Sequence, residues 1–283
     1  MADRLSALWD FDDLDASEQR FRALLAEEPS EAGRAEALSQ LARVEGLRGH
    51  LGEADGLLDE ADGLARSSLA AQARVELERG RVRRSGGDAA AALPHFEAAY
   101  ALASRTGEDF VAADAAHMAA LAAPDRDAML AWTERGIALA ESSADAAYWA
   151  GPLLNNLGWA HDEAGEYAHA LDAFERALRA REAAGDPAET EIARYAVGKA
   201  LRAIGRPGEA AALLERAVAW AEASGPPDGW FYEELAECYA ALGREADARE
   251  QARLALPLLE RDDPSLTEDG ARAARLRALA GEG

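Results

Sequence analysis

Residues 153–180 read LLNNLGWAHDEAGEYAHALDAFERALRA, two helical patterns on either side of a single turn glycine, Gly165. Five residues after that glycine stands Ala170, twelve after it Ala177, and between them the bulky Phe174. Seven residues before it stands Gly158. Small residues seven apart share one face of a helix, so a neighbouring backbone can approach there while the large side chain fills the next gap. The stretch predicts a tightly packed helix pair. It also holds Asn155 and Asn156, the only asparagines in the chain.

With Gly165 as a ruler the pattern recurs along the chain. Gly49, Gly87, Gly205 and Gly243 each end one helical pattern and precede another, and Pro124 stands where a further glycine would fall. The successive spacings are 38, 37, 41, 40 and 38. The small positions are filled by Ala42, Gly80, Gly158, Gly198 and Ala236 before the turn, then by Ala54, Ala92, Ala170, Ala210 and Ala248 after it. Leu58, Phe96, Phe174 and Leu214 fill the bulky position. The third unit departs, with His117 at the small position and Thr133 at the bulky one. Irregular packing is expected there.

LGWAHDEAGEYAHALDAFERAL and AVGKALRAIGRPGEAAALLERAV resemble the tetratricopeptide repeat, with its small residue in the first helix and Gly, Ala, Phe and Ala at set offsets. The period exceeds that family's usual ~34 residues, so the resemblance is to the longer-repeat type, similar to kinesin light chains and bacterial peptide-sensing regulators. It implies an all-α fold, a right-handed superhelical solenoid of antiparallel helix pairs. On this reading residues 1–29 form an N-terminal helical cap, 30–263 about six repeats, and 264–283 a capping helix and tail. That last helix is expected to start at a Ser or Thr N-cap followed by acids in SLTEDGARAARLRAL.

Composition agrees with closely packed helices: the chain is rich in alanine and only 6% aromatic. A net charge of −23 makes nucleic acid and anionic membranes poor partners, because the long-range field repels phosphate. No segment approaches the length of a membrane span and no leader pattern opens the chain, so a cytoplasmic, bacterial protein is expected. About thirty residues precede the first full repeat, which leaves no room for the helix-turn-helix domain that peptide-sensing regulators often carry. The single cysteine, Cys238, excludes an internal disulfide and reads as a buried thiol.

The motifs of catalysis are not present. No HExxH, GxSxG, GxxxxGK[ST] or strand-to-helix GxGxxG occurs, and the histidines at 50, 95, 117, 161 and 169 include no pair three or four apart. The expectation is no enzyme, no metal and no cofactor.

The repeat family lines its concave wall with set positions of each first helix. Here that resemblance implies Arg43, Arg81, Trp159 and Lys199 at one position, Asn155 and Tyr195 at a second, Arg84 and Arg202 at a third, with Asn156 beside them. Arginine forks pair with carboxylates, an asparagine amide can bond a peptide backbone, and the rings supply apolar contact. The alternative is that these cations pair with acids on adjacent helices and that Trp159 packs between repeats. The functional expectation is a protein- or peptide-binding module whose groove takes an extended peptide or partner tail of acidic character. The rival is an assembly protein that self-associates through its ends or convex face, and the oligomeric state stays open.

Overall fold

The structure is a computed structural model that describes residues 3–224, 228–268 and 270–282. Among the described residues it contains α-helices, two short 3-10 turns and no strand. The helices are α1 (Leu14–Glu27), α2 (Glu31–Leu47), α3 (Leu51–Ala65), α4 (Leu69–Ser85), α5 (Ala89–Thr106), α6 (Asp109–Leu121), α7 (Arg126–Ser142), α8 (Ala150–Glu163), α9 (Tyr167–Ala184), α10 (Pro187–Ala203), α11 (Pro207–Ser224), α12 (Gly229–Ala241), α13 (Glu245–Asp262), α14 (Pro264–Glu268) and α15 (Gly270–Ala280). They gather into two compact units, Met1–Leu153 and Leu154–Gly283. The division falls inside α8.

Each turn glycine of the ruler has a positive φ, 73° at Gly165 and 72° to 84° across the five. That is the left-handed conformation that closes a helix without a Cβ penalty. Gly107 and Gly185, between successive pairs, adopt it too. In the third pair α6 ends at Leu121, and α7 starts from Asp125, whose carboxylate accepts the Ala128 N–H.

Inside three of the pairs a bulky residue of the second helix meets a glycine of the first. A β-carbon built on Gly158 would collide with the ring of Phe174, and one on Gly80 with Phe96. On Gly198 it would lie 2.9 Å from Leu214 Cγ. Phe96, Phe174, Leu214 and the flanking alanines are fully buried. The third pair departs from this: His117 replaces the small residue and the buried Thr133 the bulky one, while a β-carbon on Gly136 of α7 would lie 2.8 Å from Leu153 of the next helix, α8. Thr133 Oγ1 is satisfied by donating to Met129 C=O at 2.9 Å.

In the first unit the N-terminal segment packs on α2 and α4. Leu5 is buried, Asp3 pairs with Arg74, Arg4 with Glu36, and the Trp9 indole N–H donates to Gln40 Oε1 at 2.9 Å. In the second unit Leu276 and Ala280 of α15 join Ala252 and Leu259 of α13 in one core. Asp263 opens α14, accepting from Ser265 N–H at 3.0 Å and from its hydroxyl. Asp269, one of the acids expected to follow the cap, lies outside the described residues.

The glycine contacts make a paired test. In an exposed helix interior Gly→Ala gains about 1 kcal/mol, but at Gly158 overpacking against Phe174 costs about 1–3 kcal/mol. Gly158→Ala is therefore expected to lower the urea midpoint, whereas Gly52→Ala, whose Cβ meets nothing within 4 Å, raises it or leaves it unchanged.

Candidate functional site

The second unit carries a groove of about 1050 Å³ between the first helices of its repeats and α15. Its floor is a run of rings from successive helices: Trp159 of α8 lies 6.5 Å from Tyr195 of α10, which stacks at 5.5 Å on Phe231 of α12. Phe174 holds Trp159 edge-on from below at 5.1 Å. Ile192 and Trp230 stand exposed at the rim. Three turns of helix thus deliver apolar surface to one wall.

The groove's cations are all engaged. Lys199 Nζ sits 4.6 Å above the Trp159 ring and 3.3 Å from Asp162 Oδ2. Arg202 forks onto Glu234, Arg272 bridges Glu233 and Asp263, and Arg275 pairs with Glu237. Burial opposes the charge on Arg202, yet the Glu234 carboxylate outweighs it and holds the guanidinium protonated. Burial, reinforced by Glu234 and Glu233, raises the Tyr195 hydroxyl well above its ordinary range, so it stays a neutral donor. Of the sequence-derived residues, Trp159, Tyr195, Lys199 and Arg202 come together here. Asn155 and Asn156 lie on α8, half-buried, outside the groove's lining.

In the first unit Arg43, Arg81 and Arg84 line a small cavity of about 180 Å³. Arg84 is exposed, while Arg81 is largely buried and bonds both Glu78 and Asp114. Desolvation opposes the Arg81 charge, but the two carboxylates overcome it and raise its pKa. Arg43 differs from both: its guanidinium lies 5.0 Å from the Trp9 ring and 5.2 Å from Phe11, and no carboxylate of the described residues is within 4 Å. Burial first, and then the Arg81 charge, shift its pKa downward. Arg43 also lines a second cavity of about 330 Å³, walled by Trp9, Phe11, Phe110, Tyr148 and Trp149 over Leu77, Glu78 and Asp114.

That ring-lined cavity escaped the sequence reading because its aromatics sit in the N-terminal segment and in the connection before α8, outside the repeat register. Two local clusters, WDF at 9–11 and YW at 148–149, were the available signal. Arg272 and Arg275 were missed for the same reason. The turn between α8 and α9 also gathers His161, Glu166 and His169, with ligand atoms within 4.8 Å of one another. Their spacing of eight along the chain hides this from a search for helical pairs. His161 Nδ1 and Glu166 Oε2 are hydrogen-bonded at 2.5 Å. Cys238 is buried, which pushes its thiol up to about 12 and leaves it unreactive at neutral pH.

Stacked helix pairs, three of them with a small-on-large contact, define an all-α repeat solenoid. A tetratricopeptide repeat model matches residues 151–183, so the chain carries that repeat over α8 and α9. No curated protein matches the chain. Among solved structures, the apo form of RapI is 12% identical, with a TM-score of 0.75 over 98% of this chain and 80% of that one. A signal transduction ATPase with a tetratricopeptide repeat sensor, from Pyrococcus horikoshii, is 13% identical with a TM-score of 0.71 over 87% of this chain. The chain spans 40% of that ATPase's length. A Rap protein solved with Competence and Sporulation Factor is 16% identical, TM-score 0.59, over 91% of this chain and 73% of that one. These likenesses concern the fold. Among the described residues no helix is long and apolar enough to cross a membrane.

Breaking the Arg81 cluster tests the electrostatics of the first unit. Removing one partner of a buried ion pair costs about 3–5 kcal/mol because the other charge is left uncompensated. Arg81→Gln is expected to cost that much in chemical denaturation, and Arg84→Gln, on the same helix but exposed, less than about 0.5 kcal/mol.

Proposed function

We propose that the chain is a non-enzymatic binding module that holds an extended peptide, or the tail of a protein partner, along the groove of its second unit. The observation that carries this reading is the ring series Trp159, Tyr195 and Phe231, presented by three successive first helices. Tetratricopeptide-repeat folds bind protein partners, and the Rap protein solved with Competence and Sporulation Factor supports a peptide-sized ligand. The peptide lays apolar side chains on the rings and against Ile192 and Trp230. Its acidic character enters at Lys199, whose contact with Asp162 is the longest of the groove's five cation–carboxylate pairs. There an incoming carboxylate exchanges for an internal one at small cost.

Self-association is the second reading. It is favoured by the engaged state of the other groove cations, and by exposed Ile204 and Leu242, each one residue before the turn glycine of its repeat.

Selection from a random peptide library, followed by calorimetry, separates the two. Selected peptides are expected to lose at least tenfold in affinity with Trp159→Ala, and to lose salt dependence with Lys199→Ala. Their binding raises the melting temperature at fixed protein concentration. A melting temperature that rises with protein concentration, with no peptide selected, would replace this reading by assembly.

A further inference from the structure

The ring-lined cavity of the first unit is separate from that groove and has a chemistry of its own. Its volume, about 330 Å³, is at the lower end of small-molecule sites. Five aromatic side chains wall it, and three carboxylates are near. Each carboxylate is already matched: Asp3 bonds Arg74, while Glu78 and Asp114 share Arg81. One oxygen of Glu78, Oε2, has no hydrogen bond, but it is sealed from the cavity space and lies in the field of Arg81.

The guanidinium of Arg43 is in the opposite condition. It lines the cavity and makes no hydrogen bond with any described residue, whereas the unpaired indole N–H of Trp149 is, like Glu78 Oε2, buried away from the cavity space. Trp9 and Phe11 contact the Arg43 guanidinium and restrict its position, and Trp9 is itself anchored to Gln40. Contacts with rings leave the N–H edges of a guanidinium available, and those edges fit the two oxygens of a carboxylate. A desolvated guanidinium with no acceptor is costly, and a bound carboxylate relieves that cost.

An aromatic cage beside acids would ordinarily suit a cation. Here Arg43 already occupies the cationic place at Trp9 and Phe11, and the acids are held by Arg74 and Arg81. We infer that this cavity binds a monocarboxylate on a flat apolar or aromatic body, its carboxylate on Arg43 and its body among Phe110, Tyr148 and Trp149. The same chemistry is offered by a free aromatic acid and by a chain ending in an aromatic residue.

The test uses the full chain and calorimetry with four probes: 3-phenylpropanoate, N-acetyl-L-phenylalanine, N-acetyl-L-phenylalaninamide and phenethylamine. At least one of the two acids is expected to bind, at least tenfold more tightly than the amide and the amine. Arg43→Gln abolishes the preference for acid over amide, and Arg84→Gln keeps it. Comparable affinity for the two acids identifies a free small acid as the ligand; a strong preference for the N-acetylated acid identifies a chain end. Equal binding of acid and amide, tighter binding of the amine, no binding of either acid, or an acid preference that survives Arg43→Gln overturns the inference. If Arg43→Gln does not fold, the four-probe comparison on the unaltered protein still decides it.

Discussion

The architecture depends on a contact between unequal partners, a phenyl or leucyl group of one helix seated on the bare backbone of the helix before it. Phe174 on Gly158 is the most compressed example, and Phe96 on Gly80 repeats it. The contact sets how closely the two helices of a pair approach, and so fixes the orientation of everything on their outer faces. Trp159 follows Gly158 directly in sequence. The residue that lets the helices close is thus adjacent to the residue that opens the groove's floor.

The third pair does without this contact. His117 and Thr133 stand at its small and bulky positions, and the close approach falls one helix later, where Gly136 of α7 meets Leu153 of α8. His117 lies 5.3 Å from the ring of Trp149, and burial lowers its pKa, so the imidazole is neutral at physiological pH. Trp149 in turn walls the ring-lined cavity. The irregular pair and that cavity therefore share a side chain.

Much of the fold was legible because the repeat writes its packing into spacing. Gly49, Gly87, Gly165, Gly205 and Gly243 all take the left-handed turn, and the alanines five and twelve residues beyond them are buried. Gly107 and Gly185 escaped the ruler because they join pairs instead of halves of a pair. The sites were less legible. Spacing put Trp159, Tyr195, Lys199 and Arg202 on one surface, but no spacing rule couples Arg202 to Glu234 thirty-two residues away, or Arg81 to Asp114 thirty-three away. Charge partners across helices depend on side-chain reach, and a composition with 53 acids offers many candidates for each arginine. Trp9 and Tyr148 lie outside the repeat register, so periodicity carried no information about where they meet.

The closing helix α15 belongs to two structures at once. Its apolar face, through Leu276 and Ala280, seals the end of the core, and its polar face sends Arg272 and Arg275 to Glu233 and Glu237 across the groove wall. Through these pairs the packing of α15 on the core and the position of the groove wall are set together. One short helix thus completes a core with one face and walls a groove with the other.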